Sequence, residues 1–383
     1  GCPVFGRCGG CQFRHMTYDE ELRAKGQRIA DALERVGGVR LELPPVLGAE
    51  KPDRYRNKVQ FPVDRAEDRV RAGYYRARSH QVLEVEDCLL QPERVSRLQR
   101  AFEEWAAHLP SEYHMEGRFV VRHLYVRTNS RGEALVCVVA WKPVLPGADR
   151  LVSALRECEP GVVGVVLNVN PADTNVILGP EYHTLWGRDY LEEELCAYTF
   201  RLSVPSFFQI NQAQTELLYA VALDFAALTG RETVLDLYCG IGTISLALSR
   251  RAAKVIGAEI VPQAIQDARE NARRNGVENT EFFCGDAGTV AARLSGEGVR
   301  PQVICVDPPR KGLQPEVPAI LAGMAPERIV YVSCDPATLA RDVRRFGELG
   351  YRAVKAQGVD LFPRTAHVET VVLLSRESEI DVG

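Results

Sequence analysis

Apolar residues recur at helical spacing over residues 17–36, where Leu22, Ile29, Ala30, Leu33 and Val36 follow Thr17 as N-cap and Gly37-Gly38 stops the run. From about 55 to 87 and again from 118 to 142 the pattern shortens to alternation, as in Lys58-Val59-Gln60-Phe61 and His123-Leu124-Tyr125-Val126-Arg127. These runs predict antiparallel strands, with a helix over about 92–108 between them. Further short strands are expected through 162–203, turning at Gly161, Asn170-Pro171 and Gly179-Pro180. Near residue 206 helix and strand begin to take turns. Leu217, Leu218, Val221, Phe225 and Leu228 line one helical face as far as Gly230, and the runs at 234–237, 255–258, 302–306, 329–332 and 371–374 follow. That grammar predicts an α/β domain with a parallel, doubly wound sheet over 206–383, preceded by a mainly antiparallel α+β domain over 1–205.

A length of 383 residues suits two such cores. The apolar fraction of 46% and charged fraction of 26% are those of a soluble globular chain, and no apolar run is long enough to span a bilayer. The opening Gly-Cys-Pro-Val-Phe-Gly-Arg-Cys lacks the basic and apolar regions of an export signal, so the cytoplasm is the expected compartment. The first residue is not Met, and the natural start is expected upstream. Eleven cysteines, an odd number without an export signal, point to metal ligands, catalytic thiols and small core residues rather than disulfides. A net charge of −4 gives no global attraction to nucleic acid, so polyanion binding needs a local concentration of cations.

Two glycines, Gly240 and Gly242, follow the 234–237 strand and precede a helix, a turn that lets backbone approach a nucleotide closely. Such turns also serve purely steric ends. Glu259, nineteen residues beyond Gly240 and after the next strand, tips the balance, because an acidic side chain there accepts from ribose hydroxyls. Asp286 follows the third strand, where a methyltransferase carboxylate meets the adenine amino group. A dinucleotide site would carry a third glycine where this chain has Ser245, which favours adenosylmethionine over NAD.

Cys334 lies just past the strand Ile329–Val332, on the sheet edge where ligands bind. Against the reading as a small buried residue stands that of a nucleophile, its thiol acidified by Arg310, Lys311 or Arg364. Asp307, fixed by Pro308-Pro309, is placed to meet a planar base, and Glu369, entering an apolar strand, is expected to have a raised pKa suited to proton transfer. An ordinary edge-strand glutamate is the competing reading. Together these residues fit attack of a thiolate on carbon 6 of uracil, methylation of carbon 5 and removal of its hydrogen by a base.

Cys2, Cys8 and Cys11, with Cys88 remote, lack the two close pairs of a zinc ribbon; their spacing leans slightly toward a cubane iron–sulfur cluster. Cysteines 137, 158, 196, 239, 284 and 305 are expected in or beside the cores. Between Arg54 and His80, Arg54, Arg56, Lys58, Arg65, Arg69, Arg71, Arg76 and Arg78 face only Asp64, Glu67 and Asp68, interleaved with Tyr55, Phe61, Tyr74 and Tyr75. A merely solvated face is the plainer interpretation; a basic, aromatic strand pair also suits looped RNA, whose target uridine would be turned out of its stack.

The segments Ser206–Asn211, Asp236–Thr243, Asp307–Gly312, Ser333–Pro336 and His367–Thr370 resemble, in order, the motifs of the RNA 5-methyluridine methyltransferase family, and Cys-Pro-Val-Phe-Gly-Arg-Cys-Gly-Gly-Cys-Gln resembles its iron–sulfur branch acting on 23S rRNA. The resemblance implies a Rossmann-like methyltransferase domain over 206–383 and an iron–sulfur and RNA-binding domain over 1–205. It implies Cys334 as nucleophile and Glu369 as base. Adenosylmethionine contacts are implied for Gln209, Tyr238, Gly240, Gly242, Thr243, Glu259 and Asp286, with Asp307 where cofactor and uracil meet. A [4Fe-4S] cluster on Cys2, Cys8, Cys11 and Cys88 is implied, with a structural role. Many members carry a small N-terminal β-barrel that this sequence does not show. A 23S rRNA uridine is the expected target, with the tRNA T-loop uridine second. An iron–sulfur NAD-dependent oxidoreductase would leave Cys334 and Glu369 unexplained, and DNA cytosine methylation normally places its cysteine after Pro rather than Ser333. A non-catalytic RNA-binding scaffold would tolerate loss of Cys334.

Overall fold

The computed structural model describes residues 1–66, 69–110, 114–115 and 118–377, and its chain divides into two compact units. The first comprises Gly1–His15, Lys51–Glu193 and Arg201–Gln212; the second comprises Met16–Glu50, Glu194–Phe200 and Ala213–Gly383. The segment 16–50, expected in the N-terminal domain, instead joins the second unit.

In the first unit a six-stranded sheet runs in the spatial order Glu181–Gly187, Val162–Val169, Ala134–Ala140, Val121–Thr128, Lys58–Ala66, Arg69–Ala72. Neighbours are antiparallel except Ala134–Ala140 and Val162–Val169, which run parallel because the helix Ala148–Cys158 carries the chain back between them. Every residue of Ala134–Ala140 is buried. Alternation divides them: Val136 and Val138 join Phe61, Leu98, Phe102, Trp105 and Leu155, whereas Leu135, Cys137 and Val139 join Tyr125, Val166 and Leu191. The helix expected at 92–108 is Glu93–Ala107.

The second unit opens with α1 (Tyr18–Arg35). Thr17 accepts from the Glu20 amide at 3.3 Å while the Glu20 carboxylate accepts from the Thr17 amide at 3.1 Å, a capping box that fixes the first turn. After α2 (Gln212–Ala226) come β1 (Thr233–Leu237), α3 (Thr243–Ser249), β2 (Lys254–Glu259), α4 (Pro262–Arg274), β3 (Thr280–Cys284), α5 (Ala287–Gly296), β4 (Val303–Val306), α6 (Val317–Gly323), β5 (Arg328–Ser333), α7 (Pro336–Gly347), β6 (Tyr351–Val359) and β7 (Glu369–Arg376). The sheet order is β3-β2-β1-β4-β5-β7-β6. Its first five strands are parallel, as the βα grammar predicts. β7, also read as one of the parallel runs, is antiparallel to both neighbours, because β6 turns directly into it without a crossover helix. Leu235 and Ile256 face a core shared with Ile29 and Leu33 of α1, Val290 of α5, Leu321 of α6 and Phe346 of α7, while the alternating Val234 and Val255 point to the other face. α1 therefore closes one layer of this sheet, which is why its segment belongs to this unit. Among the described residues no helix is long and apolar enough to cross a membrane.

Candidate active site

At the carboxyl end of β1 the chain makes a tight turn, with Tyr238, Gly240 and Gly242 at φ of 66°, 54° and 85°. A side chain on Gly242 would press on Ala268 at 3.2 Å and Phe282 at 3.3 Å, so this glycine serves helix packing; one on Gly240 would meet nothing within 4 Å, so here the backbone is bare toward open space. Tyr238 holds a left-handed conformation that a side chain resists, a strain common where ligands are gripped. Glu259, at the end of β2, accepts from the Gly240 amide at 3.2 Å and the Val261 amide at 3.0 Å, which brings the acidic residue against the turn as its spacing predicts. Thr243 shares a hydrogen bond of 2.8 Å with the buried Tyr219 hydroxyl. Asp286 caps α5, accepting from the Thr289 amide at 3.2 Å, and its second oxygen accepts from Gln314 at 3.4 Å.

Asp236, fully buried on β1, accepts a short hydrogen bond from Ser245, the residue standing in place of a third glycine. Burial raises its pKa to about 8, with Asp307 and Glu259 adding to the rise. Its Oδ1 has no partner among the described residues. A buried carboxyl with an unused oxygen and a bare glycine backbone fit a compact polar ligand. That suits adenosylmethionine.

Across the same edge the register of β5 and β7 pairs Ser333 with Thr370, so that Cys334 and Glu369 leave the ends of adjacent antiparallel strands. Ser333 Oγ accepts from the Asp335 amide at 3.1 Å and donates to the Asp335 carbonyl at 3.0 Å; Asp335 in turn caps α7 through the amides of Ala337 and Thr338. Cys334 is thereby locked in a strand-to-helix turn. Glu369 is 3% exposed, and β7 lies between β5 and β6, so the edge-strand reading is set aside. Burial and then Asp307 raise the Glu369 pKa, against the pull of Arg310. Burial likewise raises Asp307.

The thiol departs from expectation. Burial, then the carboxylates of Glu369 and Asp307, push Cys334 up to about 11, and Arg310 only partly offsets them. Arg364, another cation expected beside it, lies 3.5 Å from Glu21 instead. In this state Cys334 is a protonated thiol at neutral pH, because burial, with two acidic neighbours adding to it, outweighs one basic neighbour.

Gln209 belongs to the first unit, where its carbonyl accepts from Asn57 at 2.9 Å. Cys2, Cys8, Cys11 and Cys88 line one cavity of about 230 Å³ with Arg14, Arg56 and Tyr74, so four cysteines separated by up to 86 positions do converge. The Cys88 carbonyl is held by the Gln91 amide at 3.1 Å and Arg54 at 3.1 Å. Among the described residues no three potential ligands stand close enough to share a single ion. Of the other cysteines, 137, 239 and 305 are buried as expected, 158 and 196 are half-buried, and Cys284 is exposed because it ends β3 at the sheet's rim.

The basic stretch is less free than its composition suggests. Arg54 grips Asp87 with both nitrogens at 2.7 and 2.6 Å, and Glu84 lies 3.3 Å from Arg69 and 3.9 Å from Arg71. Both acids stand just past His80, where the basic stretch ends; Glu67 and Asp68 lie outside the described residues. Tyr75, Arg76, Arg78 and His80 line an open hollow of about 500 Å³, with the Tyr75 and His80 rings edge to face at 5.4 Å.

Sequence reasoning missed a charged cluster in the second unit: Lys25, Glu21 and Asp360 are each completely buried. The signal was present, since 21, 25, 29 and 33 share one helical stripe, the stripe that Ile29 and Leu33 mark as buried.

A seven-stranded sheet with a glycine turn after β1 and a carboxylate at the end of β2 held against that turn is the fold of an S-adenosylmethionine-dependent methyltransferase. The match to the tRNA (uracil-5-)-methyltransferase family spans residues 17–377, and the chain belongs to that family of RNA uracil-C5 methyltransferases. It is 44% identical over 377 residues to an uncharacterized RNA methyltransferase of Clostridium tetani, covering 98% of this chain and 82% of that one. A second relative, also described as an uncharacterized RNA methyltransferase, from Halalkalibacterium halodurans, is 44% identical, with 97% and 82% covered. Among solved structures, the Pyrococcus abyssi tRNA (uracil-54, C5)-methyltransferase in complex with S-adenosyl-L-homocysteine aligns with a TM-score of 0.75 at 25% identity, covering 96% of this chain and 86% of that one.

Proposed function

We propose that the protein methylates carbon 5 of a uridine in 23S rRNA by covalent thiol addition, acting in the cytoplasm. The observation that carries the mechanism is the β5–β7 register, which sets Cys334 and Glu369 side by side, with Asp307 and Arg310 acting electrostatically on both. Cys334 first gives up its thiol proton to water, and the thiolate Sγ then adds to carbon 6 of the unstacked uracil; the displaced carbon 5–carbon 6 π electrons form the enolate that makes carbon 5 nucleophilic. Adenosylmethionine, when bound, supplies the methyl group at a cationic sulfur. The turn at Tyr238, Gly240, Gly242 and Thr243 would hold it, with Glu259 at the ribose and Asp286 at the adenine; Gln209 and Asp307 are assigned to it by family resemblance. Glu369, ionised, then takes the proton from carbon 5, the carbon 5–carbon 6 double bond re-forms, and Cys334 leaves.

The cavity shared by Cys2, Cys8, Cys11 and Cys88 fits a [4Fe-4S] cluster, because a cubane gives each thiolate its own iron and so separates the sulfurs more widely than one ion does. Its role is structural, tying the N-terminal loop to the strand region, since methyl transfer consumes no electrons. RNA is assigned to the hollow of Tyr75, Arg76, Arg78 and His80, where aromatic and cationic groups meet.

A second target, the tRNA T-loop uridine, is favoured by the likeness to the Pyrococcus abyssi enzyme. The test is denaturing electrophoresis of protein incubated with adenosylmethionine and 5-fluorouridine RNAs, one from 23S rRNA and one from a T-loop, wild type beside Cys334→Ala. Fluorine cannot leave as a proton, so a Cys334-dependent adduct identifies both mechanism and substrate. No adduct with any RNA, while adenosylmethionine still binds, would overturn the thiol mechanism.

A further inference from the structure

The segment Asp360–His367, which joins β6 to Glu369, is fastened to α1 over more than 330 intervening positions. Lys25 Nζ spends its three donors on Glu21 Oε1 at 2.7 Å, Asp360 Oδ1 at 2.6 Å and the Phe362 carbonyl at 3.2 Å. The other Asp360 oxygen accepts from Tyr18 at 2.8 Å. Glu21 Oε1 also accepts from the Arg364 amide at 2.6 Å, and its Oε2 lies 3.5 Å from the Arg364 guanidinium. One turn further along α1, Arg28 donates to the Ala366 carbonyl at 2.5 Å. Within the segment, Thr365 Oγ1 donates to the Phe362 carbonyl at 2.8 Å and accepts from the His367 amide at 3.2 Å.

Two carboxylates and an ammonium with no exposure are a poor means of gaining stability, because desolvation consumes most of their mutual attraction. What such a group does provide is a single geometry, since any shift leaves a buried charge unpaired. Here that geometry is imposed on the chain two residues before a buried carboxylate that must meet carbon 5 of a base. We infer that Glu21, Lys25 and Arg28 of α1 are positioning residues, which hold the 360–367 strap so that Glu369 reaches the substrate proton. Among the described residues, their hydrogen bonds and ion pairs run to one another and to the strap.

This inference rests on the thiol mechanism and predicts a specific failure. When the strap loosens, addition of Cys334 and methyl transfer proceed, but the carbon 5 proton is removed slowly. Its bonding electrons then form the carbon 5–carbon 6 double bond slowly, and the sulfur–carbon 6 bond persists.

The experiment compares wild type, Lys25→Met, Lys25→Arg and Arg28→Ala. It uses ordinary uridine RNA with methyl-labelled adenosylmethionine and measures steady-state turnover, the labelled adduct that survives denaturing electrophoresis, and S-adenosylhomocysteine affinity by calorimetry. Lys25→Met is expected to cut turnover at least tenfold, raise the labelled adduct severalfold, and leave S-adenosylhomocysteine affinity within twofold. Arg28→Ala, at the exposed end of the strap, should do the same more weakly and guards against misfolding of the buried variant; Lys25→Arg should recover part of the turnover. Turnover lost without adduct in both Lys25→Met and Arg28→Ala, or unchanged in both, overturns the positioning role. Absence of an adduct from wild type with 5-fluorouridine RNA would instead sink the thiol mechanism itself.

Discussion

The methyl-transfer crevice of the second unit and the cysteine cavity of the first are built on different principles. In the crevice the chemical groups stand on strands or at their ends: Asp236 within β1, and Glu259, Asp286, Asp307, Cys334 and Glu369 at or just beyond strand ends, are set by the register of a sheet with a buried apolar core. The cysteines instead sit on loops. Cys8 is tied by its amide to Val4 at 2.9 Å and by an isolated bridge to Arg76, and Cys88 lies in a turn before a helix. A crevice set by strand register is ready before its ligand arrives, whereas a loop-built cavity owes more of its order to whatever occupies it. The comparison assigns chemistry to the one and ligand-dependent order to the other.

The largest effect should come from the crevice. Cys334→Ala should reduce methyl transfer by at least about 10³-fold while leaving S-adenosylhomocysteine binding intact, because the thiol supplies a covalent step and not affinity. Single-turnover kinetics beside calorimetry make the measurement; a variant that keeps even a tenth of the wild-type rate would break the assignment. The opposite signature is expected from the cavity. Cys88→Ala should lower the iron content of purified protein and melt the first unit about 10 °C earlier, corresponding to about 3 kcal/mol in a domain of this size. Equal melting temperatures with and without Cys88 would mean that the cavity is ordered by its own packing.

Strand-end chemistry is also what sequence could reveal. Glu259, Asp286, Asp307 and Cys334 each follow a short apolar run, Asp236 lies within one and Glu369 opens one, and the sheet needs only its strand order to bring them to one edge. The direction of β7 was beyond reach, because an apolar run reads the same in either orientation, and so was the place of α1, whose polar partners in the 360–367 strap lie over 300 residues away. The acidity of Cys334 was misjudged for a related reason. Burial is the largest influence on the thiol, and neither it nor the balance of Glu369 and Asp307 against Arg310 can be read from spacing along the chain. The basic stretch of the first unit misleads in the same way, through Glu84 and Asp87, which lie beyond its end and fold back on it.

The buried carboxyl beneath the glycine turn gives an intermediate effect. An unfolded aspartate titrates near about 3.9, whereas Asp236 in the fold is raised to about 8, so between these limits the folded chain keeps a proton that the unfolded chain releases. Its contribution to stability is therefore complete below about pH 4 and is lost as pH rises through about 8. Melting of the ligand-free protein from pH 5 to 8.5 should fall more steeply for wild type than for Asp236→Asn, by roughly 5 °C over the range. Parallel curves would mean that Asp236 is ionised in the fold, leaving a buried charge that the short bond from Ser245 alone would have to stabilise.

The smallest effect separates the cations that are already paired from those that are not bonded to a carboxylate. Arg54 is held by Asp87 in a two-point contact, and its nitrogens also serve the carbonyls of Cys88 and Gln91, so its charge is committed to the fold. Arg76 and Arg78 line the hollow beside Tyr75 and His80, and the Arg76 side chain donates to the Gln81 side chain at 3.4 Å. Replacing Arg76 and Arg78 together with Ala should weaken RNA binding about tenfold at moderate salt and reduce the slope of log affinity against log salt by about 1 to 2, one for each phosphate left without its cation. Arg54→Gln should leave that slope unchanged while lowering thermal stability, because it removes an internal anchor. Fluorescence anisotropy across a salt series distinguishes the two. An Arg54→Gln slope that falls as far as the double variant's would show that RNA displaces Asp87, and that the first unit, like its cysteine cavity, is completed by what it binds.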